Sequence, residues 1–96
     1  MRIRTHPGEM LREEFLRPIG MNATQLAKAI GVPQNRISDI IRGRRGVTAD
    51  TAIRLGQFFN TSAELWTNLQ AAYDLSVART ENDYSAIRAF QPTSAS

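Results

Sequence analysis

Asn22-Ala23-Thr24-Gln25-Leu26-Ala27-Lys28-Ala29-Ile30-Gly31-Val32-Pro33-Gln34-Asn35-Arg36-Ile37-Ser38-Asp39-Ile40-Ile41-Arg42-Gly43 is the stretch that decides how this chain folds. Its apolar residues fall at Leu26, Ala27 and Ile30, then at Val32, Ile37, Ile40 and Ile41, the spacing of two short helices that each bury one face. Asn22 is a good N-cap for the first helix, expected over about Ala23 to Ile30. Pro33 favours the start of the second, expected over about Gln34 to Arg42. Two short helices that cross steeply need a small residue where their backbones approach, which Ala27 supplies. Their tight connection needs a residue tolerant of positive φ, Gly31, and an apolar residue to plug the gap, Ile37. The motif is a helix-turn-helix over about residues 22 to 42, with Gly43 as its natural stop.

The flanks read as helix too, and strand alternation is hard to find. A first helix opens near Pro7, carries Glu9 in its first turn, spaces Leu11 and Phe15 one turn apart and is expected to stop before Pro18. Thr48 is placed to cap a fourth helix, with Asp50 in its first turn, an apolar stripe of Ala52, Ile53, Leu55, Gly56 and Phe59, and Asn60 as its end. Thr61-Ser62-Ala63-Glu64 has the spacing of a capping box. It opens a fifth and longest helix over about residues 62 to 78, with Leu65, Trp66, Leu69, Ala72, Tyr73 and Val77 apolar. The expected architecture is an all-α domain of five helices over residues 1–80. A polar tail, residues 81–96, is expected to be partly disordered, with Tyr84, Ile87 and Phe90 spaced to dock weakly as a short helix.

Composition narrows the function. The 96 residues contain no cysteine, which removes disulfides, thiol nucleophiles and thiolate metal sites. No apolar run approaches the ~20 residues of a membrane-spanning helix. The basic start Met1-Arg2-Ile3-Arg4-Thr5-His6-Pro7 lacks the apolar stretch of a signal peptide, so a cytoplasmic location is expected. His6 is the sole histidine, and no Ser-His-Asp set, paired catalytic carboxylates or phosphate-cradling Gly loop is visible. The chain is therefore expected to be no enzyme and to need no metal or cofactor. His6 reads as a helix-entry residue or a protein contact, and Glu13-Glu14 as a solvated helix face.

Charge is uneven along the chain. The net charge is +3, but residues 1–55 hold ten Arg or Lys against five Asp or Glu, whereas residues 56–96 hold two against four. Eleven of the twelve basic residues are Arg, whose planar fork matches phosphates and base edges. With Ile37, Ile40 and Ile41 inward, helical periodicity turns Gln34, Asn35, Ser38 and Asp39 outward, flanked by Arg36 and Arg42. Gln34 and Asn35 stand at the end of a recognition helix that enters the major groove, where their amides pair with adenine N6 and N7. Asp39 is suited either to accept from cytosine N4 or to orient Arg36 or Arg42. Arg44 and Arg45, in the turn after the helix, are suited to clamp phosphates. Asn22 and the amides that follow it are placed for a phosphate contact besides the cap.

One recognition helix reads too few base pairs for a genomic address, since each pair discriminates by ~1–3 kcal/mol, so a homodimer on two-fold double-stranded operator DNA is expected. Leu65, Trp66, Leu69 and Tyr73 of the fifth helix are the expected dimer contact, with closure of the monomer's own core as the competing use of the large residues.

Several of these residues together look familiar. Pro7-Gly8-Glu9 before Leu11, Leu26-Ala27, Gly31-Val32, Arg36-Ile37-Ser38, Gly43 with its Arg pair, Thr48, Ala52, Arg54-Leu55 and Phe59 resemble the lambda-repressor-like helix-turn-helix domain. The ending Ser62, Leu65-Trp66-Thr67-Asn68-Leu69-Gln70 and Ala72-Tyr73-Asp74-Leu75 is similar to that of the HigA family of addiction-module antitoxins, and the resemblance covers roughly residues 5–78. Thr67 stands where relatives often carry an apolar residue. The resemblance implies an antitoxin of a type II module that binds and neutralises a HigB-like toxin, a small RelE-like ribonuclease, and represses their shared operon. It also implies dimers formed through C-terminal elements. With only a short polar tail, inhibition is expected from the folded surface or the basic N-terminus. A stand-alone dimeric repressor of the same class, with no toxin partner, is the alternative.

Overall fold

The computed structural model describes residues 3–92, and the expectation of disorder at residues 93–96 falls outside them. Five helical rods account for the body of the chain, and the described residues hold no strand. Helix α1 begins as α-helix over Pro7–Met10, widens to a π-turn over Leu11–Leu16 and recovers over Arg17–Ile19. Helices α2, Ala23–Ile30, and α3, Gln34–Ile41, form the helix-turn-helix. Helix α4 spans Ala49–Phe59 and α5 spans Ala63–Glu81.

Local chemistry sets these boundaries. His6 caps α1, its Nδ1 accepting from the Gly8 N–H at 2.8 Å, so the helix-entry reading of this histidine holds. The expectation that α1 stops before Pro18 is corrected, because the helix continues to Ile19. In a regular α-helix the Pro18 ring would meet the carbonyl four residues back. Here the preceding turn is wide, with Arg17 N–H donating to Arg12 O five residues back, a looser spacing than that of the regular α-helix whose carbonyl the proline ring would meet. Asn22 forms a full capping box at α2: its Oδ1 accepts from Gln25 N–H at 2.8 Å and Gln25 Oε1 accepts from Asn22 N–H at 3.0 Å. Gly31 ends the helix at φ +73°, the left-handed conformation that the tight turn demands. The cap of α5 lies one residue later than the Thr61 box suggests. Ser62 Oγ accepts from Leu65 N–H at 3.1 Å, and Thr61 instead receives the Trp66 indole N–H at 3.0 Å.

The core is a single cluster centred on Leu11, Leu26, Ile37, Ile40, Leu55 and Trp66, each of them sealed from solvent. Helix α1 lies so close to α3 that a Cβ at Gly8 would fall on the Ile40 carbonyl oxygen. Phe15 and Phe59 tilt against each other at 4.9 Å, and Phe15 meets Trp66 at the same distance. Four apolar residues expected to pack lie outside. Ile53 is 60% exposed because Thr51, Ala52, Leu55 and Gly56 set the inward face of α4, and position 53 falls out of phase with them. Tyr84, Ile87 and Phe90 do not dock as a helix; residues 82–92 are exposed and hold only a turn, Ile87 N–H donating to Tyr84 O.

The N-terminal strap fastens to α5. Arg4 N–H donates to Ser76 Oγ at 2.9 Å, Ser76 Oγ donates to Tyr73 O at 2.7 Å, and the His6 ring meets Tyr73 edge-on at 4.8 Å.

Candidate nucleic-acid interface

The N-terminal end of α3 is an exposed platform. Inward packing of Ile37 and Ile40 fixes the helix's rotation, and this turns the Gln34 and Asn35 amides to solvent with no hydrogen-bond partner among the described residues. Unpartnered amides on a rigid helix are pre-organised donors and acceptors, because their exposure carries no internal bond to be broken on binding. Ser38 and Asp39 follow on the same face, half-buried, and Arg42 stands exposed at the helix's end.

A carboxylate does orient Arg36, and it comes from another helix than expected. Asp50 Oδ2 lies 2.9 Å from Arg36 Nη1 and 3.0 Å from Arg54 Nε, so one oxygen holds two guanidinium groups. Asp39 contributes its backbone instead: its carbonyl accepts from Arg44 N–H at 2.8 Å and from Arg45 N–H at 3.2 Å, fastening the start of the turn. Arg54 then reaches across to α2, donating to Ile30 O at 2.7 Å, one of the carbonyls that the end of a helix leaves without an internal partner. The network ties α2, α3 and α4 together and leaves a net positive charge beside the platform. Asp50 and Arg54 escaped the sequence reading as partners of the motif, although their four-residue spacing on one helix was the available signal.

The turn after α3 carries Arg44 and Arg45, both exposed, as is Arg42 just before it. Asn22 sits exposed at the start of α2 with its Oδ1 committed to the cap. Gln34, Asn35, Arg36, Ser38, Asp39, Arg42, Arg44, Arg45 and Asn22 therefore belong to one contiguous stretch of helix-turn-helix and following turn, with Arg36 and Asn22 also serving structural bonds.

The fifth helix divides differently from the expected dimer surface. Trp66 is 0% exposed within the single chain, enclosed by Phe15 and Phe59, so it has no area to offer a partner. Its expected place at a dimer contact is corrected: Ala63, Trp66, Leu69, Tyr73 and Ser76 recur on the side of α5 that packs on the body. Leu69 and Tyr73 are half-buried there, while Leu65, at 37%, and Leu75, at 50%, point outward. Burial lowers the His6 imidazole below its ordinary value, and the Asp74 carboxylate partly offsets this.

Among the described residues no group of three or more His, Cys, Asp or Glu is gathered to hold a metal ion, and no helix is long and apolar enough to cross a membrane.

Comparison with known proteins agrees with this geometry. A family model described as helix-turn-helix matches residues 11–66. The chain is 51% identical over 89 residues to Virulence-associated protein I of Dichelobacter nodosus, covering 93% of this chain and 81% of that one. It is 46% identical over 69 residues to Antitoxin HigA-1 of Vibrio cholerae, covering 71% of this chain and 64% of that one. Among solved structures, the Pseudomonas aeruginosa antitoxin HigA with higBA promoter superposes with a TM-score of 0.83 at 43% identity, covering 92% of this chain and 96% of that one.

Proposed function

This chain belongs to the helix-turn-helix family and, within it, to the HigA antitoxins, and from that premise we propose that it is an autorepressing antitoxin. As a homodimer it binds operator DNA in front of its own operon, and it neutralises a HigB-like, RelE-like ribonuclease made from the same operon in the cytoplasm. The observation that carries the DNA half is the pair of unpartnered amides, Gln34 and Asn35, at the exposed start of α3. In the major groove, side-chain amides of this kind bond adenine bidentately while the neighbouring arginines bind guanine edges or phosphates. Arg42, Arg44 and Arg45 supply affinity, Gln34 and Asn35 supply sequence preference, and Asp50 holds Arg36 in a fixed direction beside them.

Homodimerisation is needed because a single α3 addresses one half-site. The outward residues Leu65 and Leu75 are the apolar groups of α5 still open to a second chain, with Leu69 and Tyr73 at the margin. Co-expression with the neighbouring gene, followed by co-purification and footprinting on the shared promoter, tests both halves. The expected result is a stable complex with a small basic ribonuclease and a two-fold protected site. A footprint with no captured partner rejects the antitoxin half and makes the chain a stand-alone repressor, and a captured partner with no footprint rejects the operator-binding half.

A further inference from the structure

We propose that Gln70 of α5 is a positioning residue for the arginine turn, so that α5 sets the grip of Arg44 and Arg45 on the phosphate backbone. The inference rests on the operator-binding reading above and deepens it. The turn that carries the two arginines is fastened at both ends. At its start, the Asp39 carbonyl takes the Arg44 and Arg45 N–H groups. At its end, Gln70 Oε1 accepts from the Val47 N–H at 2.8 Å, a bond between residues 23 positions apart. Nothing in helical or turn geometry requires that second bond, which comes from outside the helix-turn-helix.

Three features make the Gln70 amide a built fixture. Asp74, one turn along α5, accepts from Gln70 Nε2 at 2.9 Å and so fixes which end of the amide faces Val47. The amide lies flat against Gly46, where an added Cβ would stand 3.0 Å from Gln70 Cδ and 3.1 Å from each of its terminal atoms. Val47 itself is buried in the core, so its N–H has its place fixed from below. The exposed arginines between these anchors thus have a backbone held by α5 on one side and α3 on the other. A phosphate clamp gains affinity from such fixing, since less chain freedom is lost when the DNA arrives. The helix that is free to meet a second protein is thereby joined to the DNA grip through one side chain.

The test uses the full chain, a labelled duplex of the DNA upstream of its own gene and a mixed-sequence duplex, each titrated across a salt series. Gln70→Leu should weaken both duplexes alike, by about tenfold, and reduce the steepness of the salt dependence by about the one or two phosphates lost, at ~0.9 per phosphate. The ratio of the two affinities should stay put. Partial unfolding would instead lower the active fraction and leave the salt slope unchanged. Gln70→Glu combined with Asp74→Asn preserves the acceptor for Val47 and a donor beside it with no change in net charge, and should restore both affinity and slope. Should Gln70→Leu fail to fold, Gly46→Ala displaces the amide without deleting it, and about a twofold to threefold uniform loss is expected. Unchanged affinity and slope in the folded variant, Gln70→Leu or Gly46→Ala, overturns the proposal. The double variant Arg44→Ala with Arg45→Ala separates the two levels. If it lowers the slope while the Gln70 variants do not, the positioning role fails and DNA binding stands. If the wild-type chain binds neither duplex, the operator reading fails and takes this proposal with it.

Discussion

The helix-turn-helix and α5 are built from the same kinds of residue and put them to opposite uses. In α2 and α3 the large apolar side chains Leu26, Ile30, Ile37 and Ile40 turn inward, and the polar Gln34 and Asn35 are left outside without internal partners. In α5 the largest apolar side chain goes inside, and the polar residues Gln70, Asp74 and Ser76 are spent on bonds to the rest of the chain or to one another. The start of α3 is thus marked by polar groups the fold does not use, Gln34 and Asn35, and the middle of α5 by polar groups it does.

The largest effect that separates the two regions should come from Trp66→Ala. Emptying a fully enclosed indole costs about 3–5 kcal/mol, a large part of the stability of a small domain, and thermal unfolding should shift down accordingly. If Trp66→Ala dissociated a dimer while leaving the monomer's melting unchanged, the assignment of Trp66 to the core would be wrong.

A smaller effect is expected at the network that joins the regions. Arg54→Ala removes the cap on the Ile30 carbonyl as well as the ion pair, and should cost about 1–2 kcal/mol. Asp50→Asn removes only surface pairing and should cost less than about 1 kcal/mol. Denaturant midpoints measured on both variants check the order, and equal losses would mean that the carbonyl contact contributes nothing.

The smallest effect is a dependence on pH. The folded chain favours neutral His6, because burial lowers its pKa from the ordinary value near 6.5. Below that value the unfolded chain binds the proton more readily, so stability should be complete above about pH 6.5 and should decline as the pH falls through the folded-state value. Protonation also puts a hydrogen on the Nδ1 that accepts from Gly8. Melting curves between neutral and mildly acidic pH should show a small loss that is absent in His6→Asn, a variant that retains a capping side chain without the titration. An identical pH profile in the two proteins would remove His6 from the strap.

Much of the helix-turn-helix was legible because its determinants are local. Ala27, Gly31 and Ile37 constrain one another within a few residues, and Asn22 announces the start of α2 from the sequence itself. The run of α1 past Pro18 was not legible, since it depends on a widened turn that no residue in Leu11–Leu16 advertises. Trp66 was ambiguous for a different reason. A large aromatic residue satisfies a core and an interface equally well, and only the meeting of α1 and α4 around it decides. The same limit applies to the site. Gln34 and Asn35 could be placed by periodicity, but the Asp50 bond to Arg36 and the Gln70 bond to Val47 join residues 14 and 23 positions apart and exist only once the helices have packed.

The claim that the start of α3 reads DNA is tested most directly by replacing Gln34 and Asn35 together with Ala and measuring affinity for the chain's own upstream DNA and for a mixed-sequence duplex at one salt concentration. The expected result is a loss of a few kcal/mol on the specific duplex, with mixed-sequence binding and thermal stability unchanged. Equal affinity of the variant and the wild-type chain for the specific duplex would contradict it.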